Sequence, residues 1–226
     1  MRVEPFGLGS YVHALKRGAR GLPIVADELD RVRFIRMLFY MNDAHPDENW
    51  TRLRSAELFA WPKTWQKKRP IVGILAYTLM PNHIHLLLRE STDGGISTFM
   101  KKIGQSMTNH SNEKYDQQGS LFQSSYKSRT IETDTYLRYA AAYIMVKNVF
   151  ELYPRGGLAA AIGNFEKAWE WAIAYPFSSM GEYAGVRSSP VLDVEGRKNI
   201  FRSAKEFKSF SRDVVRGGRW LPVEFE

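Results

Sequence analysis

A chain of 226 residues with 44% apolar side chains can bury a real core, as one elaborated domain or a domain with an appended tail. The absence of cysteine excludes disulfides and thiolate-held zinc, and no apolar run of about 18 residues is present to cross a membrane. Met1–Pro5 lacks the apolar segment of a signal peptide, so a cytoplasmic setting is expected, and a formal net charge of +8 favours a polyanionic partner, nucleic acid ahead of anionic lipid.

Residues 10 to 17, Ser-Tyr-Val-His-Ala-Leu-Lys-Arg, read as a first strand closed by Gly18 and Gly21. On this reading His13 belongs to the packing or surface of that strand. Asp27 caps a helix reaching about Asn42. Its Leu29, Val32, Phe34, Ile35, Leu38, Phe39 and Met41 recur at helical spacing as a core stripe, and Asp27, Glu28 and Asp30 suit its positive end. Residues 43 to 70 break the pattern and finish in Trp61-Pro62-Lys63-Thr64-Trp65-Gln66-Lys67-Lys68-Arg69-Pro70. Aromatics among bases can stack on unpaired bases while Lys and Arg hold phosphates, which makes Trp65, Lys67, Lys68 and Arg69 candidates for DNA contact. The other reading is a solvated loop that tucks its tryptophans against the domain.

Residues 71 to 79 and 83 to 90 form two apolar strands around a tight turn at Met80-Pro81-Asn82, a hairpin. The second strand opens with His83-Ile84-His85. Residues i and i+2 of a strand face the same way, about 6.6 Å apart, so both imidazoles can converge on one divalent ion while Ile84 faces a core. Taken alone, the pair also describes two satisfied surface histidines. Gly94-Gly95 leads into a helix from about Ile96 to Tyr115, with Ile96, Phe99, Met100, Ile103 and Met107 on one face and Lys101 and Lys102 exposed. His110 reads as a solvated residue facing that helix's C-terminal dipole.

Tyr126 to Glu132 is a fourth strand, and Asp134 opens a helix from Thr135 to about Phe150. Strand, helix, strand, strand, helix, strand is the split βαβ order. The expected fold class is therefore α+β: a ferredoxin- or RRM-like antiparallel sheet with helices on one face, plus a helical C-terminal extension. Pro154-Arg155-Gly156-Gly157 divides the chain into 1–153, with 43–70 as an insertion, and 154–226. The extension holds a helical region around 164 to 174 and a tail from Gly196 to Arg219 with eight Lys and Arg against Glu206 and Asp213. Lys198, Arg202, Lys205, Arg212 and Arg216 fall near one side of a helix there, and Arg202 and Lys205 are expected on phosphates.

These residues resemble the REP-associated tyrosine transposases, bacterial relatives of the single-tyrosine HUH transposases that act on single-stranded DNA. Met80-Pro81-Asn82-His83-Ile84-His85-Leu86-Leu87 is similar to the family's metal motif, and Tyr11-Val12-His13 with Arg17-Gly18 to its first strand. Gly119-Ser120-Leu121-Phe122-Gln123 and Tyr126-Lys127-Ser128 resemble the entry to the fourth strand. Ala142-Tyr143-Ile144-Met145-Val146 stands where the family carries its nucleophile, and Tyr175-Pro176-Phe177-Ser178-Ser179 with Tyr183 resembles a later signature. The likeness spans roughly residues 9 to 185.

The resemblance implies cutting and rejoining of single-stranded DNA at hairpin-flanked sites, REP-like palindromes, through a 5′-phosphotyrosine. It makes Tyr143 the nucleophile, with Tyr139 in reserve, and gives His83 and His85 a divalent metal, Mg²⁺ or Mn²⁺. Arg17, Lys127 and Arg129 join the DNA-binding candidates. A monomer acting in cis is the expected form, with a dimer as the alternative. Two positions depart from the family pattern. Lys147 stands where an amide ligand is usual, four residues after the tyrosine, and a protonated Lys has no lone pair for a metal, although it could neutralise the scissile phosphate. Ser125 stands where an Arg is common. In an α-helix Asn148, five residues on, would turn about 140° away from Tyr143. These departures favour the alternative of a non-cleaving hairpin-binding protein on the same scaffold, domesticated as a regulator.

Overall fold

The structure, a computed structural model, describes residues 6–45, 48–53, 58–154 and 156–218. Four strands, β1 (Tyr11–Arg17), β2 (Val72–Leu79), β3 (His83–Glu90) and β4 (Lys127–Ile131), form an antiparallel sheet in the order β2-β3-β1-β4. The α+β class and the split βαβ order expected from the sequence are present. The two helices of that unit, α1 (Glu28–Tyr40) and α2 (Gly95–Tyr115), cover one face. Gly104 of α2 lies over the Lys16 side chain, and Glu90, on the same face, accepts the Ile96 N–H at 2.7 Å and so satisfies one orphan donor of the α2 N-terminus.

Asp30 ties α1 to α2. The buried carboxylate accepts from the Ala26 N–H at 2.9 Å, from Lys114 at 2.8 Å, from Tyr115 at 2.6 Å and from His110 at 2.9 Å. His110 is therefore hydrogen-bonded across two helices to a buried carboxylate, not a solvated neighbour of the helix dipole. Burial by itself would raise the Asp30 pKa, but Lys114, Tyr115, the Ala26 N–H and His110 outweigh it and hold it below the usual carboxylate range. A depressed folded-state pKa contributes stability that is complete above about pH 4, the unfolded value, and is lost as pH falls below it. Asp30→Asn is expected to lower stability by about 3 kcal/mol at neutral pH and to flatten the acid limb of the unfolding curve. Denaturant titrations between pH 2 and 7 check this, and an unchanged acid limb would remove Asp30 from the account.

The insertion takes the tucked form. Tyr40 at the end of α1 is stacked between Trp50, 5.4 Å away, and Trp61, 6.1 Å away, and Trp65 meets it edge-on. Lys68 lies over Phe39 and Trp61 and donates to the Phe39 and Asn42 carbonyls at 2.6 and 2.7 Å, closing the C-terminal end of α1.

The helix after β4 lies on the other face of the sheet, a placement that the order of elements does not specify. It begins as α3 (Asp134–Ala142), capped by Thr133, and continues as α4 (Asn148–Glu151). Between them Tyr143–Lys147 forms a π turn, so the unbroken helix expected over 135–150 is interrupted by one wider turn. The extension adds α5 (Gly157–Gly163), α6 (Phe165–Ala174), α7 (Met180–Tyr183), α8 (Val194–Ile200) and α9 (Ala204–Gly217). Leu79 N–H bonds the Phe177 carbonyl at 2.9 Å and Ser179 N–H bonds the Tyr77 carbonyl at 3.0 Å, which covers the outer edge of β2. The basic tail is two helices, not one. Phe201 ends α8, Ser203 caps α9, and the buried Ile200, Phe201, Phe207 and Val215 join the same core as the sheet. No helix among the described residues is long and apolar enough to cross a membrane.

Candidate active site

Antiparallel register decides which side chains meet. Across β1 and β3, Leu15 is paired with His85 and Arg17 with His83. Paired residues share a face and alternate residues return to it, so His13, Arg17, His83 and His85 all project to the side where the π turn crosses. His13 lies diagonally from His85, its Nε2 2.8 Å from His85 Nδ1. The rings of His83 and His85 are 4.8 Å apart, and Tyr143 closes over them, 5.7 Å from His85 and 5.9 Å from His13. Thr78 of β2, paired with His85, donates to the Ile144 carbonyl at 2.6 Å and anchors the π turn above the histidines.

The protonation pattern suits metal ligation. The Asn82 amide oxygen only accepts, and it is 2.6 Å from His83 Nδ1; that nitrogen carries the proton and Nε2 the lone pair. Burial, and then His13, His83, Lys147 and Arg17, hold the His85 pKa well below the usual imidazole value, so the ring is neutral. His85 Nδ1 shares a hydrogen bond with His13 Nε2, and in the tautomer whose Nδ1 carries the proton the lone pair is on Nε2, an atom buried without a hydrogen-bond partner. Among the described residues no three His, Asp or Glu side chains gather to hold an ion. The groups that could hold an ion are the His83 and His85 imidazoles and, on the helix above, the amide of Asn148, whose oxygen and nitrogen are both buried and unpartnered. Nitrogen and amide-oxygen donors fit a divalent ion whose remaining positions go to phosphate oxygens.

The π turn changes the position of Asn148. Its N–H bonds the Tyr143 carbonyl, five residues back, so Asn148 stands above Tyr143 where residue 147 would stand in an unbroken α-helix. The 140° separation assumed α-helical geometry and does not apply. Lys147 stays against the tyrosine: its Nζ is 3.4 Å from the Tyr143 hydroxyl, 4.7 Å from the ring centre and 2.8 Å from Glu151. Burial alone would lower the Lys147 pKa, but Glu151 and Tyr143 more than reverse this and the net direction is upward. Tyr139 packs edge-on against Phe210 of α9 at 5.2 Å, which leaves Tyr143 alone beside the histidines.

The DNA-binding candidates separate into three groups. Lys127 and Arg129 are paired with Leu15 and His13 across β4, so with Arg17 they share the histidine face. Trp65, Lys67, Lys68 and Arg69 lie at the end of α1, on the other side. Trp65 packs in the aromatic stack, Lys68 closes the helix and Arg69 engages Asp43 and His45, while Lys67 is exposed. Arg202 and Lys205 are exposed at the start of α9, where Lys208 and Arg212 are engaged by Glu166. His13 is the site residue that the sequence did not mark. Its parity with Arg17 in β1 was legible, but only the β1–β3 register brings it to His85.

Residues 57–147 match the family described as "Transposase IS200 like", in agreement with the likeness read from the sequence; the match contains both histidines and Tyr143 and ends within the π turn. A solved structure of the REP-associated tyrosine transposase bound to a REP hairpin aligns with a TM-score of 0.48 at 13% identity, over 87% of this chain and 94% of that one. No curated protein matches the chain.

Proposed function

We propose that this chain, which matches the IS200-like transposase family over residues 57–147, is a metal-dependent transesterase that cuts and rejoins single-stranded DNA beside hairpins. The observation that carries the reading is the convergence of His83, His85 and Tyr143 on one face, with Arg17, Lys127 and Arg129 beside them. A divalent ion, Mg²⁺ or Mn²⁺, held by His83 and His85 with the Asn148 amide would supply Lewis-acid polarisation of the scissile phosphate. Tyr143 gives up its phenolic proton to solvent and attacks phosphorus, the Oη–P bond forms, the P–O3′ bond breaks, and the leaving 3′-oxygen takes up a proton from solvent. Lys147 stabilises the phenolate from 3.4 Å, while Glu151 limits the positive charge it presents to the ion. His13 orients His85 through their shared hydrogen bond.

The test is incubation with labelled hairpin DNA carrying single-stranded flanks, with Mg²⁺ or Mn²⁺. A covalent protein–DNA adduct is expected. One observation favours a second reading, hairpin binding without cleavage: Tyr143 and His85 are 0% and 1% exposed, so phosphate reaches them only after the cover moves. Tight binding with no adduct under either metal would establish that reading instead.

Asn148 gives a sharper check. A buried amide with no partner costs stability, so Asn148→Ala is expected to raise the unfolding midpoint slightly while weakening Mn²⁺ binding by about 10-fold or more. Calorimetric titration reads the second effect. Unchanged Mn²⁺ affinity would remove Asn148 from the ligand set.

A further inference from the structure

On the sheet face away from the histidines, a cleft of about 640 Å³ runs between α2 and the segment 119–126. Its walls carry Lys101, Gln105 and Thr108 from the helix and Ser120, Ser124 and Tyr126 from the segment, and Lys16 contributes to its floor. That size lies within the ~300–1,000 Å³ of small-molecule sites.

Lys16 is the unusual residue. It is buried, and its Nζ donates to the carbonyls of Ser124, at 3.1 Å, and Ser125, and lies 4.6 Å from the Phe122 ring centre. Among the described residues no carboxylate forms an ion pair with it, and burial pushes its pKa down to about 8. Of three N–H donors, two have partners in the protein. The helix opposite makes room for it: a Cβ on Gly104 would stand 2.6 Å from Lys16 Cε and 3.0 Å from Nζ. Glycine inside a helix is unfavourable, and so is a buried cation without a counter-charge. The fold carries both costs at one spot, and the spot opens on the cleft.

The position relates this cleft to the histidines. Lys16 and Arg17 are neighbours in β1 and so point to opposite faces, Arg17 beside His83 and Lys16 into the cleft. Between the two faces lies only the edge strand β4, whose first residue, Lys127, is exposed. A single strand leaving the histidine face over that edge would meet the cleft.

We propose that the Lys16 cleft is a second phosphate site, which holds a backbone phosphate of the bound single strand outside the point of cleavage. This rests on the reading of the protein as one that binds single-stranded DNA. The anion site itself stands independently, on the buried, uncompensated ammonium.

Two variants of the full chain test it, Lys16→Met and Gly104→Ala. The first removes the charge and the second evicts it by filling its space, at a helix position where alanine is favoured. Both should raise the thermal midpoint, which keeps a binding defect distinct from misfolding. In ¹⁵N spectra, inorganic phosphate should shift the Gly104 and Ser125 amides of wild type saturably, and not those of either variant. Affinity for single-stranded DNA should fall about tenfold in both, with the slope of log K against log salt shallower by about 0.7, one phosphate's share. Absence of a phosphate-dependent shift in wild type would overturn the anion site, whatever DNA does. A shift with unchanged DNA affinity and slope in the variants would overturn the assignment to DNA and leave a site for free phosphate. A lowered midpoint in Lys16→Met would make the lysine a structural clamp for segment 119–126 and overturn the proposal. Failure of wild type to bind DNA at all would count against the proposed function, and the phosphate titration would still decide the anion site.

Discussion

Tyr143→Phe is expected to abolish covalent adduct formation, to the level of a protein-free control, while leaving DNA affinity at the wild-type value. The substitution removes one oxygen from a fully buried ring packed against His13 and His85, and the ring contacts survive. The lost hydroxyl is bonded to Lys147, which keeps Glu151 as its counter-ion, so the change in stability should be about 1 kcal/mol or less. Tyr139→Phe is the matched control and should cleave normally, since that ring faces Phe210. The proposed nucleophile would be overturned by a live Tyr143→Phe beside a dead Tyr139→Phe. Denaturing electrophoresis of the labelled DNA reads both.

Removing either histidine is expected to eliminate measurable Mn²⁺ binding, a loss of at least about 100-fold, because a direct ligand contributes more than the outer-shell groups that cost 10- to 100-fold. The two positions differ in their structural cost. His85 is enclosed between His13 and Tyr143, so His85→Ala leaves a cavity and should cost about 2–4 kcal/mol. His83 sits at the first residue of β3, slightly more exposed, and His83→Ala should cost less. His85→Gln, closer in volume, separates loss of the ligand from loss of packing. Calorimetric titration with Mn²⁺ is the measurement, and equal heats for wild type and both variants would mean that the imidazoles are not ligands.

The buried state of His85 was not visible in a pattern that also fits two surface histidines. A His-x-His repeat gives the shared face but not what covers it. Here the cover is the π turn opening at Tyr143, in the helix that follows the fourth strand and far along the chain from His85. The same limit applies to the insertion: interleaved tryptophans and lysines fit nucleic-acid stacking and inward packing equally well. The environment at the end of α1, with Tyr40 open to a stack and two carbonyls free for Lys68, settled the choice.

Local physics was enough for much of this protein. Apolar runs around a Pro-Asn turn placed the hairpin that carries His83 and His85, glycines closed the first strand, and an Asp and a helical stripe placed α1, because these signals act between residues close in the chain. Motif order in the sequence also singled out Tyr143 as the candidate nucleophile. Tertiary structure decided the rest. The β1–β3 register brought His13 to His85, and the opposite face of the sheet received α3. The π turn moved Asn148 into the position above Tyr143 that helical counting had assigned to Lys147. Register and helix phase are set by which long-range contacts bury the most and leave the fewest polar groups unpaired. A one-residue slip in either redirects side chains without altering any local pattern, so which side chains meet at the site is decided by the packing.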